Sequence, residues 1–403
     1  MPLKDSKLLV ITDRYPHIKD SITSSFVKSQ VDCLKNYIGK VYIISLTPFV
    51  PKFLSKFSFM NPRWRRDAFA YDYKYDNVEV YFAKYFTLPF DFSRKKRGDV
   101  AFRVVNKIIQ KEKIEFDLIH AHFIYPSGYV GAKLKERYDK PLIITGHGHD
   151  VYDLPFRDAE WNAKIKGILN KADHIITVSK SNYYILTQFN LSTKNSIIPN
   201  GYNSNLFKPI SMNDSRRKLK IPMDKKIILS VGNLEIVKGH EYLIKAMKKV
   251  IQKEKDILCL IVGAGSQRRN LEILVNRLGL QDNVRLLGGK LHDEIPFWIN
   301  ACDVFILPSL NEGNPTVMFE CLGCGKPFVG TRVGGIPEVI ISEKLGILVE
   351  PKNHEQLADA ILKALNKEWD REYILNYAKQ FTWDEIAKSI MAVYEEVCKN
   401  DRG

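Results

Sequence analysis

Two glutamates, Glu312 and Glu320, stand eight residues apart in the stretch SLNEGNPTVMFECLGCGKPFVGTRVGGIPE (309–338). Carboxylates accept paired hydrogen bonds from neighbouring hydroxyl groups, such as those of a ribose or a hexose. Asn314 is predicted as an N-cap with Pro315 at the first helical position, so a helix should begin there. Glu312 would then precede this helix and Glu320 would lie on its second turn. The two acids would therefore face one pocket.

The predicted helix start also suits a phosphate group. The first N–H groups of a helix have no partner within it and lie at the positive end of its dipole. Here they would belong to Asn314, Thr316 and Val317, while Gly313 would let the backbone approach a ligand closely. Hydroxyl-binding acids beside a phosphate-binding helix start predict a site for a nucleotide sugar. Exposed acids on an ordinary helix are the alternative, but they leave the flanking glycines unexplained.

Apolar runs alternate with amphipathic stretches along the whole chain, which is typical of parallel sheets wrapped by helices. The chain therefore predicts an α/β protein with two doubly wound Rossmann-like domains, residues 1–200 and 201–380. They would be joined at NGYNSNLFKPISMNDS, and a last helix at about 381–400 could pack back on the first domain. The predicted strands are KLLVITD, KVYIISL, VEVYFA, FDLIHAH, PLIITGH, HIITVS and NSIIPNG in the first domain, and KKIILSVGN, ILCLIVGAG, VRLLGG, DVFILPS, KPFVGT and LGILVE in the second.

Polar side chains follow the predicted strands in both halves. In open α/β sheets, ligands bind beyond the carboxyl ends of the strands. We therefore expect the ligand in a cleft between the two domains. The residues at these strand ends are His120, His122, His147, His149, Asp150 and Ser179 in the first domain, and Asn233, Glu235, Lys238, Gly239 and Ala264-Gly265-Ser266 in the second.

The charge balance indicates an anionic partner. The net charge is +15, from 61 basic and 46 acidic residues, and such an excess favours nucleic acid, anionic membranes or phosphorylated substrates. The stretch PKFLSKFSFMNPRWRR (51–66) has five basic residues interleaved with aromatic ones and no acid. This mixture suits a lipid interface, and it also suits single-stranded nucleic acid. A solvated loop is the alternative. No nucleic-acid module accompanies it, so we expect no nucleic-acid partner.

The composition is that of a globular protein, with 45% hydrophobic and 27% charged residues. No apolar run approaches the roughly 18 residues of a spanning helix, and LLVIT is too short for the core of a signal peptide. We expect a cytoplasmic protein that works peripherally at the cytosolic face of a membrane.

Metal and redox chemistry were weighed as alternatives. Cys321 and Cys324 form the only close cysteine pair, and without a second pair they predict packing at a helix end, not a zinc site. The histidines of HAH and HGHD, with Asp150, could hold zinc or iron, but no further ligand cluster accompanies them. GAGSQRR (263–269) lacks the third glycine of a dinucleotide fingerprint. We expect neither a metal nor another cofactor.

The segment NEGNPTVMFECLGCGKPFVGTRVGGIPE resembles the donor-site signature of the retaining GT-B glycosyltransferases of family 4, with its Glu-x7-Glu pair. The resemblance covers almost the whole chain. It implies a GT-B fold and transfer of a sugar from a UDP- or GDP-sugar to a glycan or lipid-linked acceptor, in building a surface polysaccharide, glycolipid or glycoprotein glycan. The other matching segments, in the family's order, are HGHDVY with the preceding ITG, HIITVSKS, SIIPNGYNSNLF, SVGNLEIVKGHEYLIKAM and LCLIVGAGSQRRNLEILVNRLGLQDNVRLLGG.

The resemblance also implies residue roles. Glu320 would hold the ribose, Glu312 would lie near the transferred sugar, and Lys238 would neutralise the diphosphate. The amides of Gly313, Asn314 and Thr316, around Pro315, would meet sugar hydroxyls and phosphate, and the backbone at Gly232 would approach the phosphates. The catalytic residues implied are His147, which approaches the reacting sugar, Glu312 and Lys238, and the residues expected to line the acceptor side are Ser24, Ser25, His122, Asp150 and Ser179.

Two positions depart from the family pattern. Asn233 stands where the family often has an arginine as a second cation for the diphosphate. SITSSF (21–26) stands where many members have glycines, so the amide of Ser24 or Ser25 would have to do their work. Neither departure by itself predicts an inactive protein.

The expected reaction develops negative charge on the departing diphosphate. The chain has no Asp-x-Asp motif, so Lys238 and helix N-termini would have to stabilise that charge. The resemblance implies retention without a covalent enzyme intermediate, with the leaving phosphate itself taking the proton from the acceptor hydroxyl. Two alternatives stay open: a nucleotide-sugar epimerase or hydrolase of the same fold, and a non-catalytic membrane-bound scaffold.

Overall fold

The computed structural model describes residues 3–13, 15–16, 26–49, 70–86 and 91–400. The chain divides into two compact units. Unit 1 comprises Met1–Pro199 with Asp384–Gly403, and unit 2 comprises Asn200–Trp383. Ser24, Ser25 and the basic aromatic stretch 51–66 lie outside the described residues.

Unit 1 is built on an eight-stranded sheet with the order β3-β4-β2-β1-β5-β6-β7-β8. All described pairings in it are parallel except β3 with β4, which are joined through Asp76 and Asn77. The sequence did not predict β3, because three residues carry too little periodic pattern. The strands are β1 Lys7–Thr12, β2 Lys40–Phe49, β3 Tyr73–Tyr75, β4 Val78–Phe86, β5 Leu118–His122, β6 Leu142–Gly146, β7 His174–Thr177 and β8 Lys194–Ile197.

Unit 2 is built on a six-stranded parallel sheet with the order β11-β10-β9-β12-β13-β14. Alternate side chains of its strands enter two separate apolar clusters: Leu229 and Phe305 belong to one, Ile228 and Ile306 to the other. A strand with both faces buried reads as a continuous apolar run. The strands are β9 Lys226–Val231, β10 Ile257–Val262, β11 Val284–Gly288, β12 Val304–Leu307, β13 Phe328–Thr331 and β14 Gly346–Val349.

The helices connect these strands in the manner of a doubly wound fold, and the predicted α/β class is confirmed. They are α1 Phe26–Leu34, α2 Asp91–Lys111, α3 Tyr129–Tyr138, α4 His149–Tyr152, α5 Ala159–Leu169, α6 Lys180–Thr187, α7 Met212–Leu219, α8 His240–Lys253, α9 Arg268–Arg277, α10 Ile295–Ala301, α11 Thr316–Gly323, α12 Ile336–Val339, α13 His354–Asn366, α14 Arg371–Ala378 and α15 Trp383–Asn400.

The sheet order marks one position in each unit where a ligand could bind. In unit 1 the direction of winding reverses between β1 and β5, and in unit 2 it reverses between β9 and β12. Open α/β sheets bind ligands beyond the carboxyl ends of the strands at this switch point. Within the described part of the chain, no helix is both long enough and apolar enough to cross a membrane.

Candidate functional site

In unit 2, the loops after β9 and β10 are fastened to each other. Leu234 N donates to Ala264 O at 3.0 Å, and Gln267 N donates to Leu234 O at 2.8 Å. A Cβ added at Gly263, where φ is +156°, would lie 1.8 Å from Gly232 O, and one at Gly265 would lie 2.4 Å from Leu234 O. These glycines therefore permit close packing of two protein loops.

The loops after β9 and β12 are fastened in the same way. A 3-10 turn over Ile236–Lys238 ends at Gly239, where φ is +63° and a Cβ would lie 2.0 Å from Pro308 O. Leu310 N donates to Val237 O at 2.7 Å. The junction leaves Lys238 facing the segment that follows β12.

Lys238 and Glu312 form an ion pair at this junction. Lys238 Nζ lies 2.6 Å from Glu312 Oε1, and the same oxygen accepts a hydrogen bond from Ser309 Oγ at 2.6 Å. Glu312 is 7% exposed. The lysine and the hydroxyl together fix the orientation of the Glu312 carboxylate.

The glycine pair that follows the site segment shapes its backbone. A Cβ at Gly334, where φ is +51°, would lie 1.8 Å from Glu312 O, and Gly335 N donates to Gly313 O at 2.9 Å. The close approach at Gly334 thus explains that glycine by contact between protein segments, whereas the donation from Gly335 N does not require glycine.

The helix after Glu312 begins one residue later than predicted. Its N-cap is Pro315, with φ −71° and ψ 117°, and its first helical residue is Thr316. Asn314 is not the cap, because its side chain has another partner: Asn314 Oδ1 accepts from Asn200 N at 2.9 Å, and Asn314 O accepts from Asn200 Nδ2 at 2.7 Å. The first-turn amides of Thr316 and Val317 remain the candidates for binding a phosphate.

Glu320 has a neighbour that the sequence did not single out. On α11, Glu320 is 8% exposed, and its Oε1 lies 3.3 Å from His292 Nε2. His292 begins a 3-10 turn after β11, and its ring packs edge-on against Phe207 at 5.2 Å. In the sequence, His292 could have been found only as a polar residue a few positions after a strand. The other candidate site residues have the same property.

His240 was also missed. It is the first residue of α8, it is 2% exposed, and neither ring nitrogen has a hydrogen-bond partner among the described residues. Burial, and to a smaller extent the charge of Lys238, lower the pKa of His240 to about 4. A Cβ added at Gly232 would lie 3.9 Å from His240 Cε1 and 4.0 Å from Lys238 Cδ. Gly232 therefore opens onto space bordered by both side chains, whereas Asn233 beside it is exposed.

The cysteine pair on α11 is structural. Cys321 and Cys324 are both fully buried free thiols, and burial raises the pKa of each. A protonated buried thiol is a poor nucleophile and a poor metal ligand. They pack the end of the helix that carries Glu320.

In unit 1, His147 follows β6 and lies among aromatic rings. Its ring centroid is 4.5 Å from that of Phe26 and 4.7 Å from that of Phe123. His147 Nε2 lies 3.0 Å from His122 Nδ1. His122 is fully buried at the end of β5, so the structure brings together two of the histidines that the sequence placed on adjacent strand ends.

Asp150 organises the loop that carries His147. Its carboxylate accepts hydrogen bonds from Gly148 N at 2.9 Å, His147 N at 3.1 Å and Ile124 N at 2.9 Å. Burial raises the pKa of Asp150 to about 6, and the three amides oppose that rise. Asp150 is therefore turned toward protein backbone.

Ser179 has a similar local role. It is the N-cap of α6, its Oγ accepts from Asn182 N at 3.1 Å, and it is 1% exposed. The acceptor-lining role stays a prediction for His122, Asp150 and Ser179. In the structure all three side chains are buried and make hydrogen bonds to protein groups of unit 1. Among the described residues, no group of three or more His, Cys, Asp or Glu side chains could hold a metal ion.

Two family profiles match the chain. The profile described as Glycosyltransferase Family 4 covers residues 59–206, and the profile described as Glycosyl transferases group 1 covers residues 211–381. An uncharacterized glycosyltransferase of Methanocaldococcus jannaschii is 33% identical over 303 residues, which is 74% of this chain and 80% of that protein. A D-inositol 3-phosphate glycosyltransferase of Corynebacterium jeikeium is 29% identical over 312 residues, 72% of this chain and 74% of that protein.

Solved structures share the fold. Sucrose-phosphate synthase from Thermosynechococcus elongatus matches with a TM-score of 0.77 and 23% identity, covering 97% of this chain and 98% of that one. HepE from Anabaena, in complex with UDP-glucose, matches with a TM-score of 0.71 and 21% identity, covering 97% and 100%. At these identities the matches show a common architecture.

Proposed function

The chain belongs to the family 4 glycosyltransferases of GT-B fold, and from this premise we propose that it transfers a sugar, with retention of configuration, from a UDP- or GDP-sugar. The acceptor is a glycan or a lipid-linked saccharide. The observation that carries the proposal is the Lys238–Glu312 pair at the carboxyl ends of β9 and β12.

Lys238 would bind the diphosphate of the donor. Breaking the sugar–phosphate bond places negative charge on the leaving group, and the lysine cation would stabilise that charge. The N–H groups at the start of α11 add a second positive dipole end. As Lys238 turns to the diphosphate, Glu312 loses its cation and can accept hydrogen bonds from sugar hydroxyls.

Glu320 would hold the ribose. A carboxylate can accept from both vicinal hydroxyls at once, and the Glu320 carboxylate has a 3.3 Å contact with His292 that a ribose could replace. The match to HepE supports this assignment of donor chemistry, because that structure contains UDP-glucose.

We also propose that the leaving diphosphate takes the proton from the acceptor hydroxyl, so that no enzyme nucleophile is needed and no metal is required. The support is the presence of Lys238 and the α11 amides as positive groups, in a chain without an Asp-x-Asp motif. Gly232, bordered by Lys238 and His240, leaves room for the diphosphate beside the backbone.

A calorimetric screen tests the donor site. The purified protein is titrated with UDP, GDP and ADP and their common sugars without added metal, beside Glu320→Ala and the matched control Glu372→Ala, an exposed glutamate on α14. We expect one nucleotide to bind selectively, with binding lost in Glu320→Ala and kept in the control. No binding by any nucleotide to folded protein would favour the scaffold alternative. Donor turnover without an acceptor product would favour the epimerase or hydrolase.

Synthesis of a surface polysaccharide or glycolipid at the membrane is proposed from charge. The net charge of +15 and the basic residues of α2, with those of 51–66, would attract anionic lipid. Sedimentation with anionic vesicles should fall when the basic residues of 51–66 are neutralised, and unchanged sedimentation would contradict the proposal. The residues to neutralise are Lys52, Lys56, Arg63, Arg65 and Arg66.

A further inference from the structure

Both ring nitrogens of His240 are buried and unpaired within the described part of the chain. The residue is 2% exposed, and neither Nδ1 nor Nε2 makes a hydrogen bond to any residue that the structure describes. Burial is the main cause of its pKa of about 4, so the ring is neutral at neutral pH. A neutral imidazole carries one N–H and one lone pair. Whichever nitrogen carries the hydrogen, one buried N–H has no acceptor, and buried polar groups in native structures are rarely left unpaired.

The nitrogen-bearing edge of the His240 ring faces the open side of Gly232. A Cβ built on Gly232 would lie 3.9 Å from His240 Cε1 and 4.0 Å from Lys238 Cδ, and no atom of the described residues would lie closer. Cε1 is the ring carbon between the two nitrogens, so both nitrogens flank the atom that is turned to this space. Gly232 directly follows β9, at the position in unit 2 where the direction of winding reverses.

The groups around this space favour an anion. His240 is the first residue of α8, a helix of 14 residues with Gly239 as its N-cap. The first N–H groups of a helix have no partner within it and lie at the positive end of its dipole. Lys238 adds a full positive charge. The acid that follows, Glu241, is bound to Lys245 at 3.3 Å. A ring N–H, a helix start and a lysine at one place suit the oxygens of a phosphate group.

We propose that His240 donates a hydrogen bond from its ring N–H to an oxygen of the donor diphosphate, and so supplies a contact for which the family often has an arginine at position 233. Asn233 itself is exposed. Neither ring nitrogen is open to solvent, and Lys238 Cδ borders the space beside them, so we expect the contact to form as Lys238 turns from Glu312 to the diphosphate. That the anion is a diphosphate rests on the proposed function, whereas the unpaired N–H does not.

The variant His240→Phe separates ligand binding from packing. Phenylalanine keeps a flat ring and removes the unpaired N–H, so the melting temperature should stay equal or rise. The affinity for UDP or GDP, measured by calorimetry, should fall by about tenfold or more, because a hydrogen bond to a charged group is lost. A residue that only packs would give the opposite result, a lower melting temperature with unchanged affinity, and that result would overturn the proposal.

Two further variants complete the comparison. His240→Gln offers an amide N–H and should retain more affinity than His240→Phe, and equal losses in the two would contradict the proposal even if both variants are less stable. The matched control is His354→Phe. His354 is also the first residue of a helix in unit 2, α13, but its Nδ1 lies 3.3 Å from Glu355 Oε1. This control should leave the affinity unchanged.

Nitrogen NMR tests the contact in the unmutated protein, so the proposal stays testable if His240→Phe fails to fold. Protein labelled with ¹⁵N at histidine is titrated with UDP, GDP and inorganic pyrophosphate, and the spectrum of His240→Gln assigns the signals of His240. We expect the ring N–H of His240 to shift as one of these anions saturates the protein. Unchanged His240 signals in protein that binds any of them would overturn the proposal.

Pyrophosphate distinguishes this proposal from the proposed function, because it has neither base nor sugar. If UDP or GDP binds equally well to His240→Phe, the donor site stands and the role of His240 fails. If neither nucleotide binds but pyrophosphate binds in a way that depends on His240, the anion contact stands and the proposed function fails. If none of the three binds to folded protein, both proposals fail.

Discussion

Lys238 Nζ and Glu312 Oε1 lie 2.6 Å apart, across two loops that leave adjacent parallel strands of unit 2. The sequence predicts both side chains as ligand-binding residues, and in the structure they bind each other. The lysine provides a counter-charge for a carboxylate that is only 7% exposed.

Substitutions at Glu312 and at Lys238 should affect binding of different parts of the donor, the sugar and the diphosphate. Glu312→Gln releases Lys238, so affinity for the bare nucleoside diphosphate should stay equal or rise, while sugar transfer should fall. Lys238→Met should lower the affinity for the nucleoside diphosphate and for the sugar nucleotide by the same factor. Losing a hydrogen bond to a charged group costs about 1.5–3 kcal/mol, or roughly 10- to 150-fold in affinity. Calorimetry with both ligands measures the difference, and equal losses in the two variants would show that the pair does not exchange partners.

Gly232→Ala should leave the fold intact and impair donor binding. A Cβ there meets nothing closer than 3.9 Å in the protein, so any cost arises from the ligand that the backbone approaches. The matched variant is Gly263→Ala, in which the Cβ would lie 1.8 Å from Gly232 O, and it should lower the melting temperature. If Gly232→Ala leaves the affinity for the diphosphate unchanged, the phosphates do not bind beside Gly232.

The pKa of His240 predicts an acid-sensitive contribution to stability. The pKa is about 4 in the folded protein and about 6.5 in an unfolded chain. As the pH falls from about 6.5 to about 4, the unfolded chain gains a proton that the folded protein does not, so stability falls by on the order of 1.4 kcal/mol for each pH unit. In His240→Gln the melting temperature should fall less steeply in this range. Parallel curves for the two proteins would disprove the assignment, because all other groups are common to both.

Asp150→Asn should destabilise the loop of His147. An amide offers one acceptor oxygen where the carboxylate offers two, so at least one of the backbone N–H groups of Gly148, His147 and Ile124 would face an N–H instead. The expected loss is about 1–3 kcal/mol in the free energy of unfolding, measured by urea denaturation. Asp153→Asn, three residues along and 41% exposed in its side chain, should change stability little. Equal effects would point to general charge loss.

The sequence predicted that polar residues after the strands of one sheet would line a common edge. Residues after β9 and after β12 must meet, because parallel neighbouring strands end at the same sheet edge, and Lys238 with Glu312 is the result. The sequence did not predict hydrogen bonds between a side chain and a backbone group far away along the chain. Asn314 has the residue type and position of an N-cap, yet its oxygen binds the amide of Asn200, 114 residues earlier in the chain. His240 and His292 are single polar residues at element starts, where no periodicity distinguishes a site residue from a solvated one.

Two hydrogen bonds join Asn200 to Asn314, although the two residues are far apart in the sequence. Asn200 is the first residue of unit 2, three residues after the end of β8, and Asn314 stands two residues after Glu312. Each side chain binds the backbone of the other residue, so replacing one asparagine removes one hydrogen bond and leaves the other in place. The first residue of unit 2 is therefore tied to the loop of Glu312 by two bonds that single substitutions remove one at a time.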